Sequence, residues 1–285
     1  MQKNGRVMRL KPRHNPDVND FWMCDEGRYN YHFIDENRIQ SPQYINDLIG
    51  WDKAIDLIAR DIRSLKESGR QERIGVIASA QLTNEDLFTL RKLFRDTLNV
   101  AHITFKMPAQ QGTSDDFLIK ADKNPNTAGA EAILGESMDV NALLEKAKAG
   151  QIDLLYVFGQ DLVKSFGKET VVQVAKQVKL FVYQGSNINE TCNYAHVILP
   201  SSVYAEKDGT FTNFQGRVQR ISPAFLPIAE SKGDWDILVM LALGLGTALP
   251  YKHSSAIFSD LAMNVGAFAE LNYEKIGDEG QLFKK

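Results

Sequence analysis

Cys24 and Cys192 are the only thiols in the sequence. Cys24 sits within Trp22-Met23-Cys24-Asp25-Glu26-Gly27-Arg28, with His14 and His32 on either side at no zinc-like spacing. Cys192 and His196 are four residues apart and could share a helix face, as zinc ligands can, but they supply half of a four-ligand set. A 4Fe–4S cluster needs four thiolates, so this chain cannot complete one alone. Without further ligands, each cysteine reads as a small, inert side chain. His102 and His253 have no identifiable partner.

A second concentration of polar groups is Glu206, Asp208, Gly209, Thr210, Asn213 and Arg217. Acid–base work requires perturbed carboxyls in a closed site, which spacing does not establish. A Gly-Thr-x-Thr-Asn run also makes a hydrogen-bonded turn. The structural reading is preferred: a loop that braces a crevice. There is no P-loop and no Ser-His-Asp constellation. Gly244-Leu245-Gly246 lacks the third glycine of a dinucleotide fingerprint and follows a helix.

These groups must be placed by the elements around them. Trp51, Ala54, Ile55, Ile58, Ile62 and Leu65 recur at helical spacing, with Gly69 as the stop. Thr83 and Asp86 form a short version of a capping box, opening a helix with Leu87, Leu90, Phe94 and Leu98 on its apolar face. Further helices are expected at 139–150, 171–178, 188–195 and 235–245. Short apolar runs at 74–78, 102–105, 154–158, 180–183 and 197–199 read as buried strands, and 208–221 as a hairpin. A short strand is expected at 6–10, after a turn at Asn4-Gly5. Residues 108–135 read as a long loop, and the stretch from Lys252 is weakly periodic.

Helices alternating with fully apolar strands define an α/β fold: an open, mostly parallel sheet with helices on both faces. Ligand crevices in such sheets lie at the carboxyl ends of the strands. Gly159, Gly185 and Pro200 mark three of those ends, so Gln160, Asp161, Gln184, Ser186, Asn187, Ser201 and Ser202 would line a crevice. It would be vestigial or hold a dinucleotide, the former being favoured.

With 33 Lys and Arg against 36 Asp and Glu, the net charge is −3, which argues against binding nucleic acid by phosphate neutralisation. The 285 residues are 44% hydrophobic and 24% charged, as in ordinary globular chains. No secretory h-region is visible near the start. The most apolar run, 237–250, is too short to span a membrane.

Several blocks resemble the molybdopterin oxidoreductase superfamily: Ala195-His196-Val197-Ile198-Leu199-Pro200, Glu206-Lys207-Asp208-Gly209-Thr210-Phe211-Thr212-Asn213 and Gly216-Arg217-Val218-Gln219. Asn189-Glu190-Thr191-Cys192 and the strand leading to Asp161 resemble its preceding segments. Gly5-Arg6-Val7 and the Cys24 block resemble the end of its iron–sulfur domain. Within the superfamily, Pro12-Arg13-His14-Asn15 and Trp22-Met23-Cys24-Asp25 look most like the large iron–sulfur subunit of NADH-quinone oxidoreductases, in its later portion.

The resemblance implies three regions. Residues 1–45 would be the remnant of a 4Fe–4S domain, 46–250 a reduced molybdopterin-oxidoreductase-like α/β domain, and 251–285 an extension. Cys24 would occupy a 4Fe–4S ligand position, filled only if other cysteines come from outside this chain. The cofactor-binding crevice, in vestigial form, would comprise Gly159, Asp161, Gly185, Ser186, Glu206, Gly209, Thr210, Asn213 and Arg217. Glu26 stands where the family's metal enzymes commonly carry lysine, and its carboxylate would repel a pterin pyrophosphate, so molybdopterin itself is not expected.

The implied function is a largely non-catalytic scaffold in a complex I-type electron-transfer chain. Its partners would be other subunits of an NADH-quinone oxidoreductase or related hydrogenase, at the cytoplasmic face of the membrane. The alternatives are a reduced, formate dehydrogenase-like molybdopterin enzyme holding a pterin dinucleotide, and a free-standing nucleotide-binding module.

Overall fold

A computed structural model describes residues 1–3, 5–108 and 112–284. Its strands are β1 (Gln2–Lys3), β2 (Arg6–Val7), β3 (Gln43–Tyr44), β4 (Asp47–Leu48), β5 (Ile74–Ile77) and β6 (His102–Thr104). They continue as β7 (Leu154–Phe158), β8 (Leu180–Gly185), β9 (Val197–Pro200), β10 (Gly209–Thr212), β11 (Arg217–Ile221) and β12 (Gln281–Leu282). The main sheet has the order β4-β3-β9-β8-β7-β5-β6. From β9 to β6 its pairs are parallel, and β3 and β4 close one edge antiparallel.

The helices are α1 (Asp25–Tyr29), α2 (Trp51–Glu67), α3 (Asn84–Leu90), α4 (Thr127–Leu134), α5 (Val140–Lys148), α6 (Leu162–Phe166), α7 (Lys168–Gln177), α8 (Asp234–Gly244), α9 (Ser254–Asn264) and α10 (Tyr273–Ile276). Strand residues alternate between two cores, as the two-residue period requires. Val76, Tyr156, Val182 and Leu199 pack with α2, α3, α4, α8 and α9. Ile77, Val157, Tyr183 and Ile198 pack with α5, α6 and α7. The expected sheet with helices on both faces is therefore present.

The Thr83 capping box forms: the Thr83 hydroxyl accepts from the Asp86 backbone N–H, and the Asp86 carboxylate accepts from the Thr83 N–H. The hairpin over 208–221 is β10 paired with β11. Three expectations need correcting. The strand at 6–10 shortens to Arg6–Val7, and Asn4 of its turn lies outside the described residues. The loop at 108–135 ends in α4, which Gly129 conceals in the sequence by breaking the apolar pattern. A side chain at 129 would collide with Asn84 and Asn126, so glycine there permits close approach to α3. The weakly periodic end contains α9 and α10, whose Ile257, Phe258, Leu261 and Ile276 are core residues. No helix of the described residues is long and apolar enough to cross a membrane.

Candidate functional site

The carboxyl ends of β5, β7, β8 and β9 face α1 and the tip of the β10–β11 hairpin across a crevice of about 810 Å³. That is within the ordinary range for small-molecule sites. The strand side contributes Ser79, Gly159, Gln184, Gly185, Ser186, Ser201 and Ser202. The other side contributes Cys24, Glu26, Phe33, Phe211, Asn213 and Phe214. Gly159 has φ +60°, a left-handed conformation that lets the chain turn immediately after β7.

Below this space lies a closed ionic network. The buried Lys207 ammonium donates to Asp86 Oδ2 at 2.8 Å and to Asp234 Oδ2 at 2.7 Å. Gln184 donates to Asp234 Oδ1 at 2.8 Å and accepts from the Tyr156 hydroxyl at 2.7 Å. Burial alone would lower the Lys207 pKa, but Asp234 and Asp86 more than offset it, and the amine stays charged. Its positive charge is thus already spent on two carboxylates.

The second brace is Arg38 with Glu206. The guanidinium grips the carboxylate with two bonds, of 2.9 and 2.7 Å, and both side chains are almost wholly enclosed. Arg38 also donates to the carbonyls of Ile34, Ser186 and Ser201, so it ties the N-terminal segment to the ends of β8 and β9. Glu206 accepts the Val203 and Ile228 backbone N–H groups as well. Sequence reasoning missed Arg38, which reads as one more charge between Asn37 and Ile39. The one available signal was Glu206 itself, since a buried carboxylate demands a cation.

Two residues of the crevice walls each hold a buried polar atom with no hydrogen-bond partner among the described residues, Ser202 Oγ and Asn213 Nδ2. The Asn213 side chain cannot be turned around, because its oxygen accepts the backbone N–H of Gln215 and Arg217, both at 2.9 Å. Its amide donors are therefore left unspent. Unpaired buried polar atoms cost free energy.

Of the expected crevice residues, Gly159, Gly185, Ser186 and Asn213 line the space, and Cys24 is at its rim. The structure puts five others elsewhere. Asp161 caps α6 through the Lys164 N–H. Glu206 is locked onto Arg38. Gly209 lies against Thr83 and Glu85, where a Cβ would come within 2.8 Å of Glu85 Oε2. Thr210 gives its N–H and hydroxyl to Glu85. Arg217 is held by Asp17 and the Gly280 carbonyl. Gln160 and Asn187 are not in the lining either: Gln160 donates to Ser79 Oγ, and Asn187 to the Phe33 and Glu36 carbonyls. Along β10 the side chains alternate in direction, so Phe211 lines the crevice while Thr210 turns towards Glu85 of α3.

Cys24 Sγ accepts the Gly27 N–H at 3.3 Å, capping α1. Cys192 is buried in the α5–α7 core, where burial raises its thiol pKa. His196 Nδ1 accepts the Phe181 N–H at 2.9 Å, leaving Nε2 alone for any other partner. Among the described residues no three His, Cys, Asp or Glu side chains converge on a metal site.

An open, mostly parallel α/β sheet with a crevice at its strand ends defines the class. Residues 122–243 match the family model of the molybdopterin oxidoreductases. The chain is 34% identical over 172 residues to a Staphylococcus haemolyticus protein named putative formate dehydrogenase, a match covering 60% of this chain and 17% of the relative. It is 34% identical over 140 residues to the Bacillus subtilis protein named probable oxidoreductase YjgC, covering 49% of this chain and 14% of the relative. The chain thus spans less than a fifth of these relatives' length. Acetylene hydratase from Pelobacter acetylenicus has the same fold, with a TM-score of 0.62 at 9% identity over 95% of this chain and 70% of that one.

Proposed function

We propose that this chain is the nucleotide-cradling α/β part of a formate dehydrogenase-like molybdopterin oxidoreductase. The observation that carries the reading is the crevice of about 810 Å³ at the strand ends, with Ser186, Ser202 and Asn213 in its lining. These three residues would hold the polar part of a pterin nucleotide, and Lys120 near Phe214 would meet its phosphates. When bound, such a pterin supplies the ligands of a redox metal. The residues of this chain would position the nucleotide and exclude water from one side of it.

The donor set fits the nucleotide and not the metals. The lone Cys24 cannot hold a cluster, and among the described residues there is no converging metal-ligand set. A cluster and the metal's protein ligand would come from chain outside this sequence.

A second reading rests on the charges. Glu26, Asp122 and Asp234 face the crevice against Lys120, Lys123 and Lys207, so the lining is balanced, and Lys207 is already paired. Such a crevice offers little to a pyrophosphate. It suits a vestigial site in a scaffold like the large iron–sulfur subunit of NADH-quinone oxidoreductases, with other subunits of that complex or a related hydrogenase as partners at the membrane's cytoplasmic face.

Calorimetric titration of the full chain with guanosine diphosphate separates the two. Saturable binding, weakened about tenfold by Ser202→Ala or Asn213→Ala with the melting curve retained, supports the cradle. Absence of binding, with no pterin recovered from the protein as isolated, rejects it in favour of the scaffold.

A further inference from the structure

A second cavity, of about 570 Å³, lies behind the crevice and is separated from it by Leu10, Tyr204 and Ile221, which line both. We propose that this cavity binds a small amphipathic monocarboxylate, with the carboxylate on Arg13 and an aliphatic or aromatic body against Val7, Ile34 and Tyr204. The proposal is independent of the crevice reading.

The apolar wall belongs to the smallest of the three hydrophobic clusters, built on Val7, Ile34, Val203 and Ala205. Val7, Ile34 and Ala205 border the cavity. Filling such a space with apolar atoms is favourable by roughly 25 cal/mol per Å² of surface removed from water.

The polar end is set by two guanidinium groups. Arg220 gives Nε and Nη2 to Asp208 at 3.1 and 3.3 Å and stacks 4.4 Å over the Tyr273 ring. It is therefore neutralised and immobilised. Arg13 has one bond among the described residues, from Nη1 to the Arg220 carbonyl at 3.3 Å. The rest of its planar donor fork is available for a carboxylate. Asp278 also lines the cavity and would repel a second negative charge, so the open Arg13 fork suits a single carboxylate better than a phosphate dianion.

The probe is phenylbutyrate, titrated calorimetrically into the full chain, with phenylbutanol as the neutral analogue. The expected result is one-to-one binding of the acid, weakened about tenfold for the alcohol and for Arg13→Gln. Ala224→Phe, which fills the cavity and leaves both arginines in place, should abolish it. Arg13 is exposed, so its substitution leaves the melting curve intact and the loss is attributable to the site. The proposal is overturned if the acid does not bind, if the alcohol binds equally well, or if neither substitution weakens binding. Displacement of the acid by guanosine diphosphate would also overturn it, since that would place the probe in the crevice.

Discussion

Glu85 is fully enclosed, and its carboxyl accepts from Thr210 N at 2.7 Å, Thr210 Oγ1 at 2.9 Å and the Tyr273 hydroxyl at 2.9 Å. Burial pushes its pKa from an ordinary 4.5 to about 7, and these hydrogen bonds only partly restore the charged form. Asp208 and Arg220 are the charged groups nearest this cluster, paired with each other. A carboxyl raised in the folded state binds its proton more tightly there than in the unfolded chain. Its stabilising effect is therefore full below about pH 4.5 and is lost as pH climbs towards about 7, a span on the order of 3 kcal/mol. Melting temperatures measured from about pH 5 to about pH 8 should fall for the wild type relative to Glu85→Gln. Parallel profiles would show that Glu85 titrates normally. Arg38 gives a second prediction at this scale. Arg38→Ala strands the Glu206 carboxylate without water or cation, at a cost of about 3–5 kcal/mol in urea unfolding. Arg38→Lys should recover little, because three ammonium donors cannot reproduce the five-donor fork that reaches three carbonyls and a carboxylate.

At the scale of elements, α3 is the pivot. Its apolar residues pack on the sheet, but Asn84, Glu85, Asp86 and Thr89 are buried too, so no face of it is solvated. Asn84 binds the Thr210 and Thr212 hydroxyls, and Asp86 binds Lys207. The close crossing with α4 depends on Gly129. Gly129→Ala should destabilise the protein by about 1–3 kcal/mol through overpacking against Asn84 and Asn126. Helix propensity alone forecasts the opposite, a gain of up to about 1 kcal/mol, so the sign of the change in unfolding free energy decides between them. The same helix shows what could be read from sequence. Its apolar face and capping box were legible, because they are written within a few consecutive residues. The burial of its polar face was not, because the partners are contributed by β10, Lys207 and Tyr273, more than a hundred residues away. The strands of the sheet were legible for the local reason too, as short runs apolar on both faces. Of the crevice, the loops after β7 and β8 were legible from the glycines, while the brace of Arg38 on Glu206 depends on a pairing across most of the chain.

For the whole molecule, the two ends of the chain contribute very differently. Residues 1–33 bury one hydrophobic side chain, Val7, and leave Phe21, Trp22 and Tyr29 exposed. They form one wall of the crevice and carry Cys24, yet they add little to the cores. From residue 43 onward the chain is already part of the main sheet through β3 and β9. The segment after Tyr251 behaves in the opposite way. Ile257, Phe258, Leu261, Phe268 and Ile276 are buried in the same core as α2, α3 and the sheet, and Tyr273 completes the bonding of Glu85. At roughly 1.5–3 kcal/mol for each large apolar side chain, this contribution is on the order of 10 kcal/mol, comparable with the whole stability of a typical domain. Deleting residues 252–285 should abolish the cooperative urea transition followed by circular dichroism. Deleting residues 1–33 should leave a cooperative transition in place, with a midpoint lowered only modestly, because the cores behind the crevice remain filled. A cooperative transition in the C-terminal deletion would show that α9 and α10 pack on a domain already stable without them.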